Sequence, residues 1–104
     1  MGLGPIPSSR RALLNAGLTV KDIDVVELNE AFASQAIASM RELGLSMDNT
    51  NPNGSGISLG HPIGATGARM LVTAMHEMKN EHWKRALITM CIGGGQGLAM
   101  VVEK

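Results

Sequence analysis

Two apolar runs, Ala86-Leu87-Ile88-Thr89-Met90 and Leu98-Ala99-Met100-Val101-Val102, flank the segment Cys91-Ile92-Gly93-Gly94-Gly95-Gln96-Gly97. Each run reads as a buried strand and the glycines supply a tight reversal, so the chain is predicted to end in a β-hairpin. The single cysteine of the sequence stands at the mouth of that turn. A thiol at a strand end, beside backbone N–H groups that glycines leave uncovered, suits proton transfer and oxyanion binding. Taken alone, the same cysteine is a small apolar residue closing a strand.

Upstream, helix and strand alternate. Ser8 or Ser9 caps a helix with Ala12, Leu13, Leu14 and Ala16 on one side, and Gly17 supplies its left-handed stop. Asp24-Val25-Val26-Glu27-Leu28 is rich in β-branched residues and reads as a short strand. Phe32, Ala36, Met40 and Leu43 recur at helical spacing, and Gly44 ends that helix. From Ser46 to Gly56 the chain is polar and reads as a loop, with a short extended piece near Ile57–Leu59. Ala65, Ala68, Leu71, Val72, Met75 and Met78 mark an amphipathic helix that begins near Gly64. With 104 residues and neither repeat nor linker, one α/β domain with a modest core is expected.

Charge and composition exclude several functions. Nine basic and nine acidic residues cancel, so no global field recruits nucleic acid or anionic lipid. Phe32 and Trp83 are the only aromatics, too few for a base-stacking surface. One cysteine makes no intrachain disulfide and no CxxC metal site. No apolar run approaches membrane-spanning length, and no basic segment precedes an apolar run at the N-terminus. A cytoplasmic protein without metal, membrane or nucleic-acid partners is the expectation.

Three motif matches fail on context. Gly56-Ile57-Ser58-Leu59-Gly60 fits the G-x-S-x-G nucleophile elbow, but a polar loop precedes it where a strand is required. A hydrolase built on Ser58 is therefore the weakest reading. Gly93-x-Gly95-x-Gly97 leads into a strand, whereas the dinucleotide fingerprint leads into a helix. His76 and His82 point to different faces of a helix, and no H-E-x-x-H is present.

His61 differs from the other two histidines. Gly60 and Pro62 fix its backbone in a loop before a helix, leaving the imidazole uncrowded. A neutral imidazole there can accept a thiol proton or donate one hydrogen bond to a developing oxyanion. Asn29 closes the first strand and opens the next helix, where asparagine is a favoured cap. The end of a strand in an α/β sheet is also where ligand-contacting residues gather.

Asn29-Glu30-Ala31-Phe32, Gly60-His61-Pro62-Ile63-Gly64 and Cys91-Ile92-Gly93-Gly94-Gly95-Gln96-Gly97 together resemble the three signatures of the C-terminal half of the thiolase family, in order and near the right spacing. Met1-Gly2-Leu3-Gly4-Pro5-Ile6-Pro7 is similar to the run into the first helix of that half, so the resemblance covers residues 1–104 as a partial thiolase C-terminal domain. The Asn-Glu-Ala-Phe tetrapeptide resembles ordinary thiolases more than the sterol-carrier branch.

The resemblance implies an α/β half-domain, a mixed sheet with helices on both faces whose first strand is central. This chain would lack that strand. The resulting gap would close by direct pairing of its flanking strands or by a strand borrowed from a symmetric copy, the second being favoured. The resemblance also implies a reversible Claisen reaction of coenzyme A thioesters, as in fatty acid metabolism, without metal or redox cofactor. His61 would take the proton of a nucleophilic cysteine and later donate to the thioester oxygen, helped by a water on Asn29. Cys91 would move the α-proton of acetyl-coenzyme A as acid and base, and Gly93 would offer its N–H to the acyl-enzyme oxyanion. The residues that bind the coenzyme stay unassigned. With one cysteine, the chain holds no separate nucleophile. It is expected to be silent alone and to act with an N-terminal thiolase half or as an oligomer. The rival reading is a non-catalytic thiolase-like interaction module.

Overall fold

In the computed structural model, which describes residues 1–104, the elements run α1 (Pro5–Ala16), a 3-10 turn (Val20–Asp22), β1 (Val25–Leu28), α2 (Ala33–Leu43), α3 (Gly56–Leu59), α4 (Thr66–Asn80), β2 (Arg85–Gly93) and β3 (Gln96–Glu103). The strands form one mixed sheet in the order β1-β2-β3, with β1 parallel to β2 and β2 antiparallel to β3. Gly94 and Gly95, with φ of 61° and 76°, make the two-residue hairpin turn, which requires positive φ at both positions.

Helices cover both faces. On one, Leu13 of α1 and Ala36 of α2 pack with Val26, Leu28 and Leu87. On the other, Met70, Ala74 and Met78 of α4 pack with Val25, Ala86 and Ile88. All four β1 residues are buried, as a strand sandwiched between helices must be. Strands β1 and β2 pair residue for residue from Val25↔Ala86 to Leu28↔Thr89, so no strand fits between them. The anticipated gap is closed by direct pairing, and no borrowed strand is needed there. Two apolar parallel strands share both helical layers, which draws them together.

The polar loop does more than connect. Val26 N–H donates to Asn49 O at 2.9 Å and Asn51 N–H donates to Val26 O at 2.8 Å, a single bridge along the outer edge of β1. The Asn51 amide then imitates a strand residue: Oδ1 accepts the Leu28 N–H and Nδ2 donates to the Leu28 carbonyl, both at 2.8 Å. The edge of β1 is thereby satisfied without another full strand. The extended piece expected near Ile57–Leu59 lies instead here, and Ile57–Leu59 forms the short helix α3.

Helix boundaries also differ from the sequence reading. Helix α1 begins at Pro5, ahead of Ser8 and Ser9, because proline preset at the first turn needs no N–H partner. Ser8 Oγ donates back to Gly4 O at 2.9 Å, Ser9 is buried, and Leu14 is exposed. Asn29 does not cap α2; Phe32 occupies that position, and its ring is exposed. On α4 the buried face is Thr66, Met70, Ala74 and Met78, while Val72 and Met75 face outward. Gly17 and Gly44 end their helices at φ 68°, as expected.

One close approach fixes the hairpin against α1. A Cβ on Gly97 would meet the Gly4 carbonyl and lie 2.8 Å from Ser8 Oγ. No helix is long and apolar enough to cross a membrane.

Candidate active site

Because β1 and β2 are parallel, their carboxyl ends lie side by side. Asn29 follows β1 and extends the ladder, its N–H donating to Thr89 O at 3.0 Å. Cys91 follows Thr89 by two residues on β2. Ligand-contacting residues of α/β sheets gather at such an end. A cleft of about 470 Å³ opens there, walled by His61, Cys91 and Gly93 together with Met1, Ala31, Ile63, Met90 and Ile92.

Each wall residue arrives by a local device. Gly60, at φ 89°, ends α3 and turns the chain into the loop that carries His61. The exposed imidazole is tethered through Nδ1, 2.7 Å from Thr66 Oγ1 at the start of α4. Cys91 is a half-buried free thiol. The β2–β3 register slips between Cys91 and Gly93, a bulge of the kind that re-aims residues beside functional sites. Gly93 sits at φ 93° with open space where a Cβ would be.

Asn29 does not line the cleft. It is fully buried, and neither Oδ1 nor Nδ2 has a hydrogen-bond partner in the chain. A Cβ on Gly56 would come within 3.1 Å of that Oδ1 and 2.6 Å of Glu30 O, so glycine lets α3 pass over the Asn29–Glu30 segment. An amide left unused by the fold, at a strand end, is suited to hold a small polar ligand such as water. Of the four residues singled out from sequence, His61, Cys91 and Gly93 share the cleft wall, and Asn29 is not part of it.

Two residues passed over in the sequence belong to the surroundings. Thr66 is fully buried and holds His61. Glu27, on β1, is fully buried with Arg69 of α4 at 3.9 Å. Burial raises its carboxyl from the ordinary 4.5 to about 7, against the opposing pull of Arg69. The available signal was a lone acid in the apolar run Val25–Leu28. Ser58 is engaged with Ser55, accepting its N–H at 3.3 Å and donating to its carbonyl at 3.4 Å, so no nucleophile elbow exists.

Known proteins share much of this sequence. The family model described as "Thiolase, C-terminal domain" matches residues 1–104. The chain is similar to beta-ketothiolase BktB of Cupriavidus necator, 59% identical over 104 residues, covering 100% of this chain and 26% of that protein. It is 56% identical over 106 residues to the 3-oxoadipyl-CoA/3-oxo-5,6-dehydrosuberyl-CoA thiolase of Escherichia coli K12, with the same coverage of 100% and 26%. With an acetyl-CoA acetyltransferase of Syntrophomonas wolfei it shares 57% identity over 105 residues, 99% of this chain and 26% of the relative. The chain thus spans about a quarter of the length of the relatives it matches.

Proposed function

The chain belongs to the thiolase family, as its C-terminal domain, and on that premise we propose that it supplies the acid/base and oxyanion half of an acyltransferase site acting on coenzyme A thioesters. The observation that carries this reading is the sharing of one cleft by His61, Cys91 and Gly93; the unpartnered amide of Asn29, at the adjoining strand end, supports it.

The α-proton of a thioester is weakly acidic, so a thiolate removes it only when the enolate oxygen is stabilised at the same moment. His61 and a water held by Asn29 would donate to that oxygen, while Cys91 takes the proton in condensation or returns it in thiolysis. In the acyl-transfer step, His61 would accept the proton of a nucleophilic cysteine carried by another segment. Gly93, free of a side chain, would present its N–H to the acyl oxyanion. The nucleophile is not Cys91, so the chain alone is expected to be silent. A thiolysis assay of this chain, alone and mixed with a nucleophile-bearing thiolase half, tests the reading: activity only in the mixture supports it. Activity of the mixture that survives Cys91→Ala undiminished refutes it.

A further inference from the structure

The Thr66 hydroxyl lies between a ring nitrogen and a carbonyl oxygen. Its Oγ1 is 2.7 Å from His61 Nδ1 and 3.1 Å from the Pro62 carbonyl oxygen. Thr66 is fully buried at the first position of α4, whereas the His61 ring is exposed in the cleft wall. The residue is therefore fixed and its partner is the working group.

A hydroxyl has one proton and two lone pairs. With its proton on Pro62 O, the back-bond to i−4 that a helical threonine favours, it accepts from a protonated Nδ1 and leaves Nε2 a bare lone pair. With its proton turned to Nδ1, the ring proton resides on Nε2, which then donates. The Pro62 carbonyl already accepts the N–H groups of Ala65 at 2.7 Å and Thr66 at 2.9 Å. It stays satisfied when the hydroxyl turns away, so neither orientation strands a buried polar group.

We infer that Thr66 is a positioning residue for His61, its rotating hydroxyl pairing with Nδ1 in either neutral tautomer and so freeing Nε2 to accept a proton or to donate one. The inference rests on the proposed acyltransferase reading, which asks both acts of the same ring nitrogen. Exchange of tautomers carries one proton between the ring nitrogens through solvent water, and no heavy atom of Thr66 moves.

Two-bond 1H–15N correlation spectra of this chain read ring protonation directly, with His76 and His82 as internal references. The His61 Nδ1 resonance is expected to stand apart from theirs in wild type and in Thr66→Ser, and to move toward them in Thr66→Val. Coincident Nδ1 shifts for all three histidines in wild type overturn the inference, whether or not the valine variant folds. In the enzyme assembled with its nucleophile-bearing half, Thr66→Val is expected to lower kcat about tenfold at unchanged KM, and Thr66→Ser to restore it. Equal kcat for wild type and a folded Thr66→Val likewise overturns it. An assembled enzyme with no thiolase activity but the expected ring shifts would refute the proposed function while supporting the hold of Thr66 on His61.

Discussion

Glu27 Oε1 lies 3.9 Å from Arg69 Nη1 between β1 and α4, and neither side chain hydrogen-bonds to another group of the chain. A buried carboxylate paired only at this distance is poorly compensated for lost hydration.

The first prediction concerns pH. The Glu27 carboxyl titrates near 7 in the fold against an ordinary 4.5, so between those values the native state keeps a proton that the unfolded chain has released. Stability is therefore full at the acid end of that window and falls as pH rises through it, by on the order of 3 kcal/mol. Asp22, held below its ordinary 3.8 by the Thr19 N–H, acts at lower pH and with the opposite sign. Urea unfolding at several pH values checks the slope, and Glu27→Gln is expected to flatten it. A wild-type profile already flat across this window would contradict the assignment.

Gly97→Ala is expected to destabilise the fold by about 1–3 kcal/mol, because the new methyl meets the Gly4 backbone and Ser8 Oγ where α1 crosses the hairpin. Thermal or urea denaturation measures this directly. An unchanged midpoint would mean that α1 does not press on β3 in solution.

Asn51→Leu removes both side-chain hydrogen bonds to Leu28. The loss is expected to cost about 1–3 kcal/mol, since the Leu28 N–H is left without its partner. Amide exchange at Leu28 should accelerate more than at Val26, whose N–H is bonded to the Asn49 backbone. Equal protection at both sites would argue against the strand-like role of the side chain.

In the assembled enzyme, Cys91→Ala is expected to abolish condensation while leaving acyl transfer to the separate nucleophile. His61→Ala should impair both half-reactions. Asn29→Ala should chiefly slow the enolate step, by about 2.7–4 kcal/mol if its water is one of the oxyanion donors. Single-turnover acylation measured apart from condensation separates these outcomes.

Strong local rules made much of this fold legible. Gly17 and Gly44 stop helices at positive φ, and the Gly94–Gly95 pair turns the hairpin, because few other residues tolerate those conformations. Sequence was weaker where several sides of an element are apolar. Helix α4 carries Met70, Leu71, Val72 and Met75 around its circumference, and only packing on Val25 and Ile88 selects Met70 for the core. The role of Asn51 was hidden because a side chain imitating a strand leaves no periodic pattern. Within the site, His61 and Cys91 stood out through their glycine and proline neighbours. Thr66 did not, because its hydroxyl matters only once the loop folds back on His61.

Met1 forms part of the same cleft wall as His61 and Cys91. A probe attached at Met1 would therefore sit beside the groups proposed to do the chemistry. Lys104 sits at the far end of the sheet, its N–H on the Lys84 carbonyl, roughly 25 Å away along the eight residues of β3. A carboxyl-terminal tag or dye therefore leaves the opening clear, and a fluorophore at the amino end would report on whatever enters it.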